Sequence, residues 1–140
     1  MRPASVQTIT APASEPITSA EVKSHCRIET DADDTLITLL ITAARNHAEV
    51  CTHRALMQQT LEAQFSEWPN DGEALWLPSP PLRSVTSVKY YDTDGTEQTL
   101  ATSVYEVNTA TEPGRVALKP NQTWPSLQGG KQTPITIRYV

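Results

Sequence analysis

The sequence predicts an α+β fold: a short and then a long N-terminal helix, followed by a mostly antiparallel β-sheet of about six short strands. Three observations carry this prediction. Residues 33–52, DDTLITLLITAARNHAEVCT, place apolar side chains every three or four positions, the period of a helix. From about Ala55 the period shortens towards two, and Pro, Thr and Gln become frequent. The connections in that second half are short, which suits neighbouring antiparallel strands better than crossover units. The chain therefore divides into an extended N-terminal arm (1–15), a helical part (16–54) and a β-rich part (55–140).

Residues 1–15 hold two Pro and several Ser, Thr and Ala, with no amphipathic pattern. They read as a disordered or extended tail, or as an arm along a neighbouring subunit anchored by Val6 and Ile9. Thr18-Ser-Ala-Glu21 is a capping box, and Ile17 and Val22 stand at the positions of a hydrophobic staple. Together they predict a helix over about Ser19–Cys26. Asp31, Asp33 and Asp34 stand where acids cap the second helix and meet the positive end of its dipole. That helix has two apolar rows. Leu36, Leu40, Ala43, His47 and Val50 form one; Ile37, Ile41, Ala44, Ala48 and Cys51 form the other. The two make a stripe wider than one small partner needs. We assign Leu36 and Leu40 to the core, and Ile37, Ile41 and Ala48 to an interface.

Met57, Leu61, Ala63 and Phe65 share one parity, and Gln58, Thr60, Glu62 and Gln64 the other, so 55–68 reads as a half-buried strand, although its residues also suit a helix. Pro69-Asn-Asp-Gly72 is a turn. Ala74–Leu77 is a short strand closed by Pro78-Ser-Pro-Pro81. Val85–Tyr91 is β-branched and aromatic, Asp92-Thr-Asp-Gly95 turns it, and Thr96–Leu100 pairs back. Val104–Val107, Arg115–Leu118 and Thr133–Val140 are the remaining strands.

The chain has 140 residues, 38% of them hydrophobic, enough for one domain with a modest core. The net charge of −5 is spread evenly, −2 over residues 1–54 and −3 over the rest. No Lys/Arg cluster exists to neutralise a row of phosphates, which argues against a dedicated nucleic-acid binder. Two Cys without a CxxC predict free thiols in a reducing compartment rather than a disulfide scaffold. Neither a membrane span nor a secretory leader is legible.

His25, Cys26, His47, Cys51 and His53 could in principle gather around zinc, but the adjacent pair His25-Cys26 diverges, so ordinary thiols and histidines are the better reading. There is no GxSxG, no phosphate-cradling glycine motif, and Asp92-x-Asp94-Gly95 lacks the rest of a calcium loop. No catalytic, cofactor-binding or metal-binding residue is assigned. The three Trp lie beside turn chemistry, where they close the ends of the sheet or anchor a partner; Trp76 and Trp124 are the interface candidates.

The order of these pieces resembles tailed-phage head–tail connector (adaptor) proteins, the gp6-like or gp8-family group. The residues that carry the resemblance run over about 15–100. They are Pro16-Ile-Thr18, Ala20-Glu21-x-Lys23, Asp33-Asp34 before the long helix, Ala43-Ala-Arg45 within it, Thr52-x-Arg54-Ala-Leu56, Leu77-Pro-x-Pro-Pro-Leu82-x-Ser-Val85, and Tyr91-Asp-x-Asp-Gly95. Residues 105–140 fit more loosely. His53 stands where such proteins commonly place a glycine. They also usually continue past the last strand into one or two further helices. The sequence here ends at Val140, so those helices are dispensable, lie beyond it, or are replaced by packing from a neighbour.

The resemblance implies a non-enzymatic structural adaptor of the virion neck, built in the host cytoplasm. It implies a homo-oligomeric ring under the portal protein that meets a downstream neck or tail protein. DNA would pass through without specific binding, and no membrane or cofactor is involved. The alternatives are another neck or tail part (a tail terminator or minor capsid component), or a small bacterial enzyme or ligand-binding module.

Overall fold

The computed structural model describes all 140 residues, Met1–Val140. Elements follow in the order β1 (Ser5–Thr10), α1 (Ser19–Cys26), α2 (Asp34–Thr52), β2 (Thr60–Phe65), β3 (Ala74–Leu77), β4 (Val85–Tyr91), β5 (Glu97–Thr99), β6 (Tyr105–Asn108), β7 (Gly114–Leu118) and β8 (Ile135–Tyr139). After β1 the two helices are followed by antiparallel strands, the expected α+β order, but a strand precedes the helices, there are eight strands, and they form two sheets.

The larger sheet runs β1-β2-β8-β4-β5 and the smaller β3-β7-β6. The last strand of the chain is thus the centre of the larger sheet, which a simple meander does not provide. β8 suits that place chemically. Ile135, Ile137 and Tyr139 all point inward and are buried, and no Pro removes a donor, so both edges pair: Leu61↔Tyr139 with β2 and Val88↔Ile137 with β4. The edge strands β1 and β5 are exposed along their whole length. β3 cannot continue into β4 through Pro78–Pro81, and it pairs instead with β7, Leu75 opposite Val116 and Trp76 opposite Arg115.

One face of each sheet supplies the core. Leu61, Phe65, Val88, Ile135, Ile137 and Tyr139 from the larger sheet meet Leu75, Leu77, Tyr105 and Val116 from the smaller. The strand expected over 55–68 is confined to 60–65, where Leu61, Ala63 and Phe65 are buried as the alternation predicts, but Glu62 of the opposite parity is buried too, paired with Arg138 at 2.8 Å. Burial pushes the Tyr139 phenol well above its usual range, and its hydroxyl donates to the Pro78 carbonyl at 3.0 Å. Leu82 fills the space over Gly114, where an added Cβ would lie 2.3 Å from Leu82 Cδ2.

Within the segment expected as a disordered or extended tail, or as an arm along a neighbouring subunit, residues 5–10 are β1, paired with β2 from Ser5↔Gln64 to Thr10↔Thr60 with a shift of register between Thr8 and Thr10. Its Val-x-Thr-Ile-Thr run is β-branched, and that suffices once β2 offers an open edge. α1 has the bounds the capping box predicts. The Glu21 amide donates to Thr18 Oγ1 at 3.2 Å, and the Thr18 amide donates back to Glu21 Oε2 at 2.7 Å.

The acids before α2 behave differently from the expectation. Asp33 makes no side-chain capping bond. Asp31 and Asp34 instead take the Lys23 ammonium at 2.5 and 2.8 Å, tying α1 to the start of α2. At the other end His53 caps α2 in the left-handed region, φ 54° and ψ 34°. A histidine where a glycine would be strain-free therefore carries a backbone cost of about 1–2 kcal/mol.

Candidate interaction surfaces

α2 packs on α1 and on the segment before it, with the row opposite to the one expected. Ile37 and Ile41 are 5% and 6% exposed, whereas Leu36, Leu39 and Leu40 are 52%, 66% and 56% exposed. Ala48, the third member of the expected interface row, is half-buried. The reason lies one turn further along the buried row. Arg45 continues the 37–41 row and is itself buried, because carboxylates meet it from two sides. Its Nε donates to Glu15 Oε2 at 2.7 Å and its Nη1 to Glu49 Oε2 at 2.9 Å. Thr42 Oγ1 donates to Glu15 Oε1 at 2.8 Å. This bonding, led by Arg45, holds the Glu15 carboxyl below its ordinary range. A charge in an apolar row normally marks the wet face; here the paired charge marks the dry one.

The other face is left bare. Leu36, Leu39, Leu40, Ala43, His47 and Val50 fall within an arc of about 100° at 3.6 residues per turn, and all six are exposed. Such a contiguous apolar face is the kind of surface that marks an interaction site. Cys51 Sγ lies 3.5 Å from His47 Nε2 beside it, both exposed. His25, Cys26 and His53 do not join them in any metal-competent cluster of three.

A second surface lies where the C-terminal end of α2 passes β1. Val6, Thr8, Leu61, Asn46, Val50 and His53 line an open groove. Val6 and Ile9 are exposed, but on a strand of the chain's own sheet. The arm is thus already paired along one edge, and only its outer edge is free.

The third surface is a cleft of about 650 Å³ at the foot of α2. Arg2, His53, Arg54, Trp76, Pro78 and Glu112 are among its walls. The Trp76 amide donates to the Met1 carbonyl at 2.9 Å, which lays the first residues beside β3 and brings Arg2 to Trp76. Arg54 meets Glu112 through both nitrogens, at 2.5 and 2.9 Å, and holds that carboxyl below its ordinary range. The Arg115 guanidinium sits 5.1 Å from the centre of the Trp76 ring, and its Nε donates to Thr111 Oγ1 at 3.2 Å. Neither Arg115 nor Arg2 takes part in an ion pair.

Trp124, the other tryptophan candidate, has a role inside the chain. It stacks on Trp68 at 4.4 Å with 6° between planes, and Trp68 Nε1 donates to the Pro125 carbonyl at 2.9 Å. Asp92-x-Asp94-Gly95 is a turn. Asp92 Oδ1 accepts from the Asp94 and Thr96 amides at 3.1 and 2.9 Å. The walls of the cleft bring together cations, an aromatic face and prolines.

A family profile described as phage gp6-like head-tail connector protein matches residues 17–113. The chain belongs to the phage gp6-like head-tail connector family. The match spans α1, α2 and the sheets as far as the edge of the Trp76 cleft. Its role is that of a structural head–tail connector. Three solved structures share the connector's fold. The neck of an empty gene transfer agent (GTA) particle, computed with C6 symmetry, has a TM-score of 0.76 at 22% identity, over 97% of this chain and 70% of that one. A virion of the native GTA particle gives 0.71 at 21%, over 96% and 69%. The neck of the native particle, computed with C12 symmetry, gives 0.63 at 20%, over 94% and 68%. Comparison with curated proteins finds no match.

Proposed function

We propose that this connector acts as a closed ring in the neck of a tailed-phage or phage-like particle. It sits below the portal, receives a downstream neck or tail protein, and continues the DNA channel. The observation that carries this reading is the bare outer face of α2 in a chain of the connector family. Leu39 and Val50 are 66% and 71% exposed, a poor surface to leave in water and a poor one to face DNA. A neighbouring copy is the occupant we assign to it. Closed rings use two different patches per subunit, and this face is one of them. The GTA structures whose fold the chain shares are necks with C6 and C12 symmetry, which supports a ring.

The net charge of −5 suits a channel that DNA passes without being held. The work is mechanical joining; no bond is made or broken, and the chain is not an enzyme in this reading. Assembly takes place in the host cytoplasm and the product resides in the virion neck. The test is to image the purified chain alone and with its cognate portal protein. Rings that co-purify with portal support the proposal. A chain that stays monomeric at high concentration and does not bind portal overturns it.

A further inference from the structure

We infer that the cleft around Trp76 is the receiving half of a head-to-tail contact between copies, and that it takes the acidic loop between α1 and α2 of the neighbouring subunit. This inference rests on the ring reading above. The chain carries −5 overall, yet Arg2 and Arg54 line one cleft with Glu112 as the acid among its walls, and Arg115 lies over the ring of Trp76, another of those walls. Arg54 is held by Glu112, so Arg2 and Arg115 are the cations without a carboxylate. Trp76 shares the cleft with Arg2 and lies under Arg115, 37% exposed on an otherwise well-packed strand. An exposed tryptophan beside guanidiniums that have no carboxylate partner is the composition of an interface hot spot for a carboxylate-bearing segment.

The complementary charge lies on the same chain, out of the cleft's own reach. In the turn from α1 to α2, Lys23 holds Asp31 and Asp34, which leaves Glu29 and Asp33 exposed and without ion pairs. Asp33 is also free of the capping bond its position would allow. This turn is at the N-terminal end of α2, and the cleft, through Thr52, His53 and Arg54, is at the C-terminal end. The 19 residues between them span about 28 Å at 1.5 Å per residue. A subunit with a free acidic end and a free cationic end cannot satisfy itself. A second copy can supply both, and repetition of a head-to-tail contact of this kind gives a ring where its rotation closes and a filament where it does not.

The experiment uses the full chain in a Cys26→Ser, Cys51→Ser background. Asp33→Cys is made in one batch and Arg2→Cys in another, and the two are mixed under mild oxidation. The expected result is a mixed disulfide in about tenfold excess over either self-disulfide, reduced about tenfold when Glu29→Arg is added, since like charges then meet. In parallel, Arg115→Glu should raise the concentration for half-assembly of rings about tenfold, and adding Asp33→Arg to the same chain should restore it.

A statistical disulfide mixture overturns the inference whether or not rings form. Rings whose midpoint ignores Arg115→Glu also overturn it, with the ring reading intact. If that variant instead loses portal binding, the cleft belongs to the portal and the inference fails. A preferred mixed disulfide without rings sustains the contact and removes the ring reading.

Discussion

Leu40→Asp and Ile41→Ala, adjacent on α2, should have opposite consequences, and the exposure of the two side chains sets the size of each. Ile41 is 6% exposed, so truncation to Ala removes three buried carbons, worth about 2.4 kcal/mol at roughly 0.8 per carbon, and leaves a cavity that adds to it. The short α1 can settle into part of that space, so a loss of about 2–3 kcal/mol is expected. Leu40 is 56% exposed. Its partial burial amounts to about 1 kcal/mol, and Asp in place of Leu costs about 0.5 in helix propensity. Leu40→Asp should therefore cost the isolated subunit no more than about 1.5 kcal/mol.

The assay is urea unfolding followed by circular dichroism, below the concentration at which the wild type assembles, alongside ring formation above it. Ile41→Ala should shift the unfolding midpoint further and still build rings at high concentration. Leu40→Asp should keep a near-native midpoint and build none. If Leu40→Asp destabilises the subunit as much as Ile41→Ala does, the outer face of α2 is core and the reasoning fails. Normal rings from Leu40→Asp would remove that face from the interface.

Gly114→Ala would drive a Cβ to 2.3 Å from Leu82 Cδ2 and 2.5 Å from its Cβ; an overpacking loss of about 2–3 kcal/mol follows, read as a fall in melting temperature of roughly 5–10 °C. Arg27 caps α1 at φ 57°, so Arg27→Gly relieves about 1–2 kcal/mol of left-handed strain while loosening the unfolded chain by about 0.5–1 kcal/mol. A small net gain should appear as a higher urea midpoint, and a clear loss would contradict the strain argument. Glu15 has its folded pKa lowered, chiefly by the Arg45 hydrogen bond, so its contribution is present above the unfolded glutamate value of about 4.3 and is lost as pH falls through the folded value. Thermal melts from about pH 6 down to about pH 3 should show the wild type losing stability more steeply than Glu15→Gln. Equal slopes would mean the Arg45–Glu15 contact contributes nothing.

The local elements were legible because local chemistry decides them. The Thr18–Glu21 capping box sets the start of α1, the alternation of Leu61, Ala63 and Phe65 sets β2, and the β-branched run at Val85–Tyr91 sets β4 to the residue. What failed was long-range pairing. Nothing in Ile135–Tyr139 says that it lies between β2 and β4, because alternation fixes which side chains turn inward but not which strands flank them. The prolines at 78–81 did announce a break, yet that the strand before it, β3, belongs to a second sheet depends on β7, some 40 residues away. The arm was misjudged for a similar reason. Ser5–Thr10 has too few apolar residues to stand as a strand by itself, and it needs the edge of β2.

The candidate site was less legible than the fold, and α2 shows why. Assigning Leu36 and Leu40 to the core ranked that row above Ile37 and Ile41 on apolar periodicity alone. The ranking omitted Glu15 and Glu49, which pair Arg45 from a segment 30 residues earlier and from one turn later. Only Glu49 could have been read from the sequence, as an i,i+4 partner. Once Arg45 is satisfied it can be buried, and the row of leucines is released to the outside. The cleft is harder still. Arg2, Arg54, Trp76 and Arg115 come from four separate segments, and each alone is an ordinary surface residue. Their meeting follows from the β3–β7 register and from the Met1–Trp76 backbone bond. An enzyme's site can declare itself through a motif because chemistry demands particular residues at fixed spacing. A connector's site has no such demand. It needs a surface that another copy completes, and such a surface is written in what the fold leaves unpaired.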